Sequence, residues 1–103
     1  MVALDQVAHA IADPTRRQIL DLLAVEPQRA GDLAASFRRI SRPAVSKHLR
    51  VLRSSRLIAQ ERRGREIWYR LDPAPLSQVD TWLHKYSSFW QGRLAKLKKA
   101  AEK

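Results

Sequence analysis

Residues 40–58 read ISRPAVSKHLRVLRSSRLI, and their pattern decides the fold. Ser41 supplies the side-chain oxygen that opens a helix, and Pro43 is tolerated in the first turn, where its missing N–H has no partner to lose. At 100° per residue Val45, Leu49 and Leu52 fall on one stripe and face a core. Pro43, Lys47, Arg50 and Ser54 point the opposite way, flanked by Arg42, Ser46 and Arg53. Five basic residues in one segment (Arg42, Lys47, Arg50, Arg53 and Arg56) exceed what a core-filling helix requires.

Upstream, residues 30–37, AGDLAASF, form a shorter helix held by Leu33 and Phe37, and a basic turn, Arg38-Arg39-Ile40, joins the two. Two short helices with a tight turn, the second bearing a basic face, make a helix-turn-helix whose second helix suits a major groove. Earlier still, Leu4, Val7, Ala8 and Ile11 repeat at helical spacing. Asp13-Pro14 then reads as a cap and first residue of a helix that buries Ile19, Leu20, Leu22 and Leu23 and ends before Pro27.

Downstream the period changes to two. Ile67, Tyr69 and Leu71 share one strand face, with Glu66, Trp68 and Arg70 on the other. A two-residue turn at Gly64-Arg65 pairs Arg63 with Glu66 and Ile58 with Leu71. The alternative at Arg63-Gly64 sets Glu61 against Glu66 and is disfavoured. The product is a β-hairpin tipped by Arg62, Arg63 and Arg65, a wing. After Asp72-Pro73-Ala74-Pro75 a long helix is expected from about Leu76. Its seam is Leu76, Val79, Leu83, Tyr86, Trp90, Leu94 and Leu97. Trp82, Tyr86, Phe89 and Trp90, four of the seven aromatic residues, lie in it. So much aromatic surface is hard to bury inside one short chain and predicts a homodimer, with Leu4, Val7, Ile11, Trp82, Tyr86, Phe89, Trp90 and Leu94 at its interface.

The 103 residues allow one domain with a modest core. It divides into dimerisation helices at 1–12 and 75–100, a helix-turn-helix at 30–54 and a wing at 57–72. The net charge is +10, and it is uneven. Residues 27–71 carry 12 basic against 3 acidic residues, a surplus of +9, while residues 1–26 are net negative. A surplus of that size on the helix-turn-helix and wing points to a polyanion, double-stranded DNA first. There is no cysteine, which excludes thiolate metal sites and disulfides. No apolar run approaches a membrane span, and the first 13 residues lack the basic flank of a secretory signal, so a cytoplasmic protein is expected.

These blocks together resemble a family. ADPTRRQILDLL (12–23), SRPAVSKHLRVLRSSRLI (41–58) and RRGREIWYRLD (62–72) are similar, in order and spacing, to the ArsR/SmtB winged-helix repressors, over about residues 3 to 72. The aromatic helix WLHKYSSFWQGRLAKL (82–97) resembles the metal-independent, SdpR-like branch. The resemblance implies a mainly helical winged helix-turn-helix homodimer that represses transcription. It places the base-reading and phosphate-touching positions on Arg42, Pro43, Ser46, Lys47 and Arg50 of a recognition helix running from Ser41 to Arg53. His48 matches the family's SKHL histidine. It sits beside the core stripe, where it orients the helix or reaches a phosphate rather than reading a base. Gly64 and the wing arginines complete the expected DNA contacts.

Two positions depart from the family. Arg56 stands where a glycine usually ends the recognition helix in the left-handed conformation, which an arginine adopts only at a cost. Arg38-Arg39 replaces the usual glycine of the turn. Other chemistry is poorly provided for. Asp80 and His84, one turn apart, with His9 at a distance, form an incomplete metal set whose only further acid downstream is Glu102. Three histidines on three separate elements, without a nucleophile, phosphate loop or paired carboxylates, argue against an enzyme. No cofactor is expected. Two other readings compete with a repressor: a winged-helix module docking an acidic protein or any nucleic acid, and a sensor with an effector pocket at the dimer interface.

Overall fold

Nothing local forces α1, Leu4–Ile11, to persist, since eight residues are short for an autonomous helix. It is held at both ends. Ala3 N–H donates to Gln6 Oε1 at 3.2 Å, and its last carbonyls are met by arginines of α2, Pro14–Val25. Its buried residues are Val7 and Ala10; Ala8, expected inward, is exposed. The computed structural model describes residues 3–101. Asp13 caps α2 as its sequence implies, accepting the Arg16 backbone N–H at 3.0 Å.

A two-residue strand, β1 at Gln28–Arg29, follows Pro27 and leads into α3, Ala30–Ala35. Helix α4 runs Arg42–Ser54 from the Ser41 cap, whose Oγ accepts the Ala44 N–H at 3.2 Å. Its end is a Schellman closure. Arg56 N–H reaches the Arg53 carbonyl at 3.0 Å, Leu57 N–H reaches the Leu52 carbonyl at 3.1 Å, and Arg56 has φ 61°. The arginine therefore adopts the left-handed conformation that glycine would take without a Cβ penalty.

Strands β2, Ile58–Arg63, and β3, Glu66–Leu71, pair antiparallel with Ile58 opposite Leu71 and Arg63 opposite Glu66. That is the register expected from the Gly64-Arg65 turn. Gly64 has φ +62°, and among described non-glycine residues only Arg56 is positive, the pattern of a type II′ turn. The sheet has three strands in the order β1-β3-β2, one more than the hairpin read from the sequence. Gln28 stands opposite Tyr69 and Arg29 opposite Trp68.

The core gathers Val7 and Ala10 of α1, Ile19, Leu20 and Leu23 of α2, Leu33 of α3, Val45, Leu49 and Leu52 of α4, and Leu57, Ile58 and Tyr69 around the sheet. Val7, read from sequence at a dimer interface, is wholly buried within the protomer, so its methyl groups are already packed in the core. The single long C-terminal helix is also corrected. A 3-10 turn at Ala74–Leu76 leads into α5, Ser77–His84, a turn follows, and α6 spans Ser87–Ala101. Tyr86 N–H bonds the Leu83 carbonyl and Phe89 N–H the Tyr86 carbonyl, three-residue steps that interrupt the α ladder beside the Ser87-Ser88 pair.

Leu76 and Val79 pack on the core, but every residue from 88 to 101 is exposed. The Cα radius of gyration, 17.1 Å, exceeds the roughly 13 Å of a compact chain of about 100 residues because α6 leaves the body.

Candidate nucleic-acid interface

Burial sorts the faces of α4 as its periodicity required. Val45, Leu49 and Leu52 are inside, while Arg42, Pro43, Ser46, Lys47, Arg50, Arg53 and Ser54 are exposed on a continuous arc. Ser41 is spent on its cap and Ser54 Oγ donates to the Arg50 carbonyl at 3.0 Å, so Ser46 is the hydroxyl of that arc left open. His48 does not stand with them. Its ring turns inward, with Nδ1 at 3.3 Å from an Arg16 terminal nitrogen and 4.0 Å from Asp13 Oδ2.

The charge of residues 27–71 is more one-sided than its composition suggests. All three acids of the segment are engaged by two arginines. Arg29 holds Asp32 at 2.9 Å and Glu66 at 2.8 Å, and Arg63 holds Glu61 at 3.2 Å. The carboxylates of Glu66 and then Asp32 accept hydrogen bonds from the Arg29 guanidinium and raise its pKa above the ordinary value. The other ten of the 12 basic residues have no ionic partner among the described residues. They include Arg38 and Arg39 in the turn, the four cations of α4, Arg56 at its end and Arg65 on the wing.

The three wing-tip arginines thus divide. Arg63 is tied down by Glu61 and by the face of Trp68, 4.6 Å from the ring centroid, and Arg62 Nε donates to the Gly64 carbonyl at 3.2 Å. Arg65 is the one left unengaged. Arg38 and Arg39, which the sequence marks only as turn residues, belong to the same set of unpaired cations. Both are exposed and stand just before the cap that starts α4.

The sequence also carries a signal for Arg16, which is 9% exposed. Arg16 lies three, four and seven residues before Ile19, Leu20 and Leu23, so it occupies the buried stripe of α2. A cation there needs buried acceptors.

The aromatic helices present Trp82, Leu83, Tyr86, Phe89, Trp90, Leu94 and Leu97 to solvent, with Phe89 70% exposed. Leu4 and Ile11 of α1 are half-buried. Tyr86 links the rings of Trp82 at 5.3 Å and Phe89 at 6.3 Å into one tilted row. A shallow groove of about 310 Å³ lies beside it, lined by Leu4, Ser77, Gln78, Thr81, Trp82 and Lys85. Among the described residues no three of His, Asp and Glu gather as a metal site, and Glu102 lies outside those residues. No helix described is long and apolar enough to cross a membrane.

Comparison with known proteins agrees with this geometry. Residues 13–60 match the family of bacterial regulatory proteins called arsR. The chain is 41% identical over 80 residues to the transcriptional repressor SdpR of Bacillus subtilis, covering 78% of this chain and 88% of that protein. The chain belongs to the ArsR family. It is also 42% identical over 82 residues to an HTH-type transcriptional regulator of Mycobacterium tuberculosis, Rv2034, covering 80% and 76% of the two chains. Among solved structures, an ArsR-like transcriptional regulator from Rhodococcus superposes with a TM-score of 0.76 at 37% identity, covering 96% of this chain and 90% of that one. The fold is the winged helix-turn-helix of ArsR structures, with α3 and α4 as its paired helices and β2–β3 as the hairpin. As an ArsR-family member the chain is a DNA-binding transcriptional regulator and not an enzyme.

Proposed function

We propose that this ArsR-family regulator is a homodimeric repressor that binds a palindromic operator through residues 41–54 and a basic wing. The observation that carries the reading is the set of ten basic residues of 27–71 without ionic partners among the described residues, concentrated around α4, the turn before it and the wing. Free cations on one surface attract phosphates. Exposed arginines on the groove-facing arc add base recognition, because a guanidinium bonds guanine O6 and N7 with two parallel N–H groups. Arg42 and Arg50 take that role, and Ser46 lies on the arc between them. Lys47, a point charge, suits a phosphate. Arg65 reaches the backbone or the minor groove beside the wing, with Gly64 shaping the turn. Arg62 and Arg63 hold the wing's form as much as they contact DNA.

The second copy covers the aromatic row of α5 and α6 together with the exposed edge of α1 at Leu4 and Ile11. In a two-fold dimer the recognition helices enter successive major grooves about 34–36 Å apart, which requires an imperfect palindrome. The effector-sensor reading keeps one supporting feature, the groove at Leu4 and Trp82, which lies where the two copies would meet.

Operator and random-duplex binding across a salt series tests the assignment. Arg42→Ala and Arg50→Ala should lose about 1–3 kcal/mol on the operator at particular base pairs and much less on random DNA. Lys47→Ala and Arg65→Ala should weaken both alike and make the salt slope shallower by about one unit for each lost phosphate contact. Equal losses on both duplexes for Arg42→Ala and Arg50→Ala would reduce α4 to an electrostatic clamp.

A further inference from the structure

The Arg16 side chain reaches three acceptors on two other helices. Its Nε donates to the Ala10 carbonyl at 2.7 Å, one terminal nitrogen donates to the His9 carbonyl at 2.8 Å, and the other meets His48 Nδ1 at 3.3 Å. Arg17 adds a bond to the Ile11 carbonyl at 2.8 Å, so side chains of α2 reach the carbonyls of His9, Ala10 and Ile11, beside the Ala12 backbone N–H that also bonds His9. A guanidinium has only donors. For this contact to be a hydrogen bond the His48 nitrogen facing it has to offer a lone pair, which puts the ring proton on Nε2.

Asp13 does not reverse that choice. Its Oδ2 is 4.0 Å from Nδ1 and already accepts the Arg16 backbone N–H at 3.0 Å. The backbone bond is the largest reason its pKa lies below the ordinary carboxylate value.

The geometry points to Arg16 as a positioning residue for DNA binding: it fixes His48 as the Nε2–H tautomer and ties the recognition helix to the end of α1. The apolar anchors of α4 are the buried Val45, Leu49 and Leu52, with the partly buried Val51 beside them. Apolar burial is non-directional and tolerates small rotations of a helix in its seat. The Arg16–His48 contact is directional and supplies what that seat lacks. Its consequence for DNA rests on the reading that α4 enters the groove of a dimer built partly on α1. In that dimer one guanidinium sets the angle between each recognition helix and the two-fold axis.

Imidazole ¹⁵N spectra and operator binding, measured on the full chain, test this. The unsubstituted protein at pH 8.5 should show His48 as one tautomer with the proton on Nε2, and Arg16→Gln should turn it into a mixture. His48→Leu should weaken operator binding about tenfold, the loss expected for a hydrogen bond to a charged group. His48→Gln should remain within about threefold, because its amide oxygen can accept from Arg16. In the Arg16→Gln, His48→Leu double variant the two losses should fall well short of additive, as they do for groups in direct contact.

If Arg16→Gln does not fold, the unsubstituted spectrum and the two His48 variants still decide. A proton on Nδ1, or a folded His48→Leu protein that binds the operator normally, overturns the assignment. Absence of any sequence preference in the unsubstituted protein would instead strike the operator reading, so the two ideas fail separately.

Discussion

Replacing Arg56 by glycine should make this protein more stable while removing a cation from the basic segment around α4. Arg56 sits at φ 61° in the closure of α4, between the Arg53 and Leu52 hydrogen bonds. A residue with a Cβ held there loses about 1–2 kcal/mol to the contact with its own carbonyl. Glycine removes that cost but loses about 0.5–1 kcal/mol more backbone entropy on folding than a residue with a side chain. The difference leaves a gain of about 0.5–1 kcal/mol, or roughly 3–6 °C in Tm for a domain of this size. Arg56 has no ionic partner among the described residues, so little is lost with its side chain.

Thermal melts of Arg56→Gly and Arg56→Ala at one fixed protein concentration separate backbone from charge. Alanine keeps the Cβ and should show no comparable gain. Equal gains in both variants would mean that charge relief, not the backbone, is responsible, and a neutral or destabilised Arg56→Gly would refute the strain argument. A shallower salt slope for DNA binding in both variants would show what the strained arginine supplies.

Four further outcomes follow from particular contacts. Arg16→Met should destabilise the fold by about 2–4 kcal/mol in chemical denaturation, since it strips buried carbonyls of charged donors. Gly64→Ala should cost about 1 kcal/mol, because alanine is strained at φ +62°, and should weaken operator and random DNA alike by disturbing the wing. Asp13→Asn keeps a cap but removes a titration. The folded-state pKa of Asp13 is lowered, so its contribution is fully present above about pH 3.8 and disappears as the pH falls through the folded-state value. The variant's acid unfolding should therefore begin at lower stability and fall less steeply below that point. Trp90→Ala should weaken self-association by about 2 kcal/mol, near thirtyfold in Kd, by sedimentation equilibrium if its ring is a central anchor of the dimer.

The elements that were legible in the sequence are those whose signals are local and repeated. The stripe of Val45, Leu49 and Leu52 with Ser41 before it announces α4 and its faces without knowledge of the rest of the fold. The like-charge clash of Glu61 with Glu66 chooses the wing register, and the strands pair as that argument demands. β1 could not be read in this way. Two residues carry no period, and Gln28–Arg29 is a strand only because β3 offers it an edge, with Arg29 then reaching Glu66 across the face. The break between α5 and α6 was hidden for a related reason. The heptad-like spacing runs through Lys85-Tyr86, and apolar periodicity says where side chains point, not whether every backbone bond along the way is an α bond.

Burial gave the most consequential surprises, because it depends on neighbours that the sequence does not specify. Val7 and Ile11 look alike on a helical wheel, yet the former is enclosed by the protomer and the latter is half open. The two arginines of TRRQIL differ more sharply. Arg17 is exposed, whereas Arg16 falls on the stripe of Ile19, Leu20 and Leu23 and is buried by it. A charge placed on an apolar stripe is stable only where acceptors wait, and the end of an eight-residue helix provides them as carbonyls without intrahelical partners. The same positions explain why α1 can be short. Its C-terminal end is completed by α2, and the guanidinium that completes it also touches His48. The residue that looks least suited to its place on α2 therefore bonds both the end of the first helix and α4.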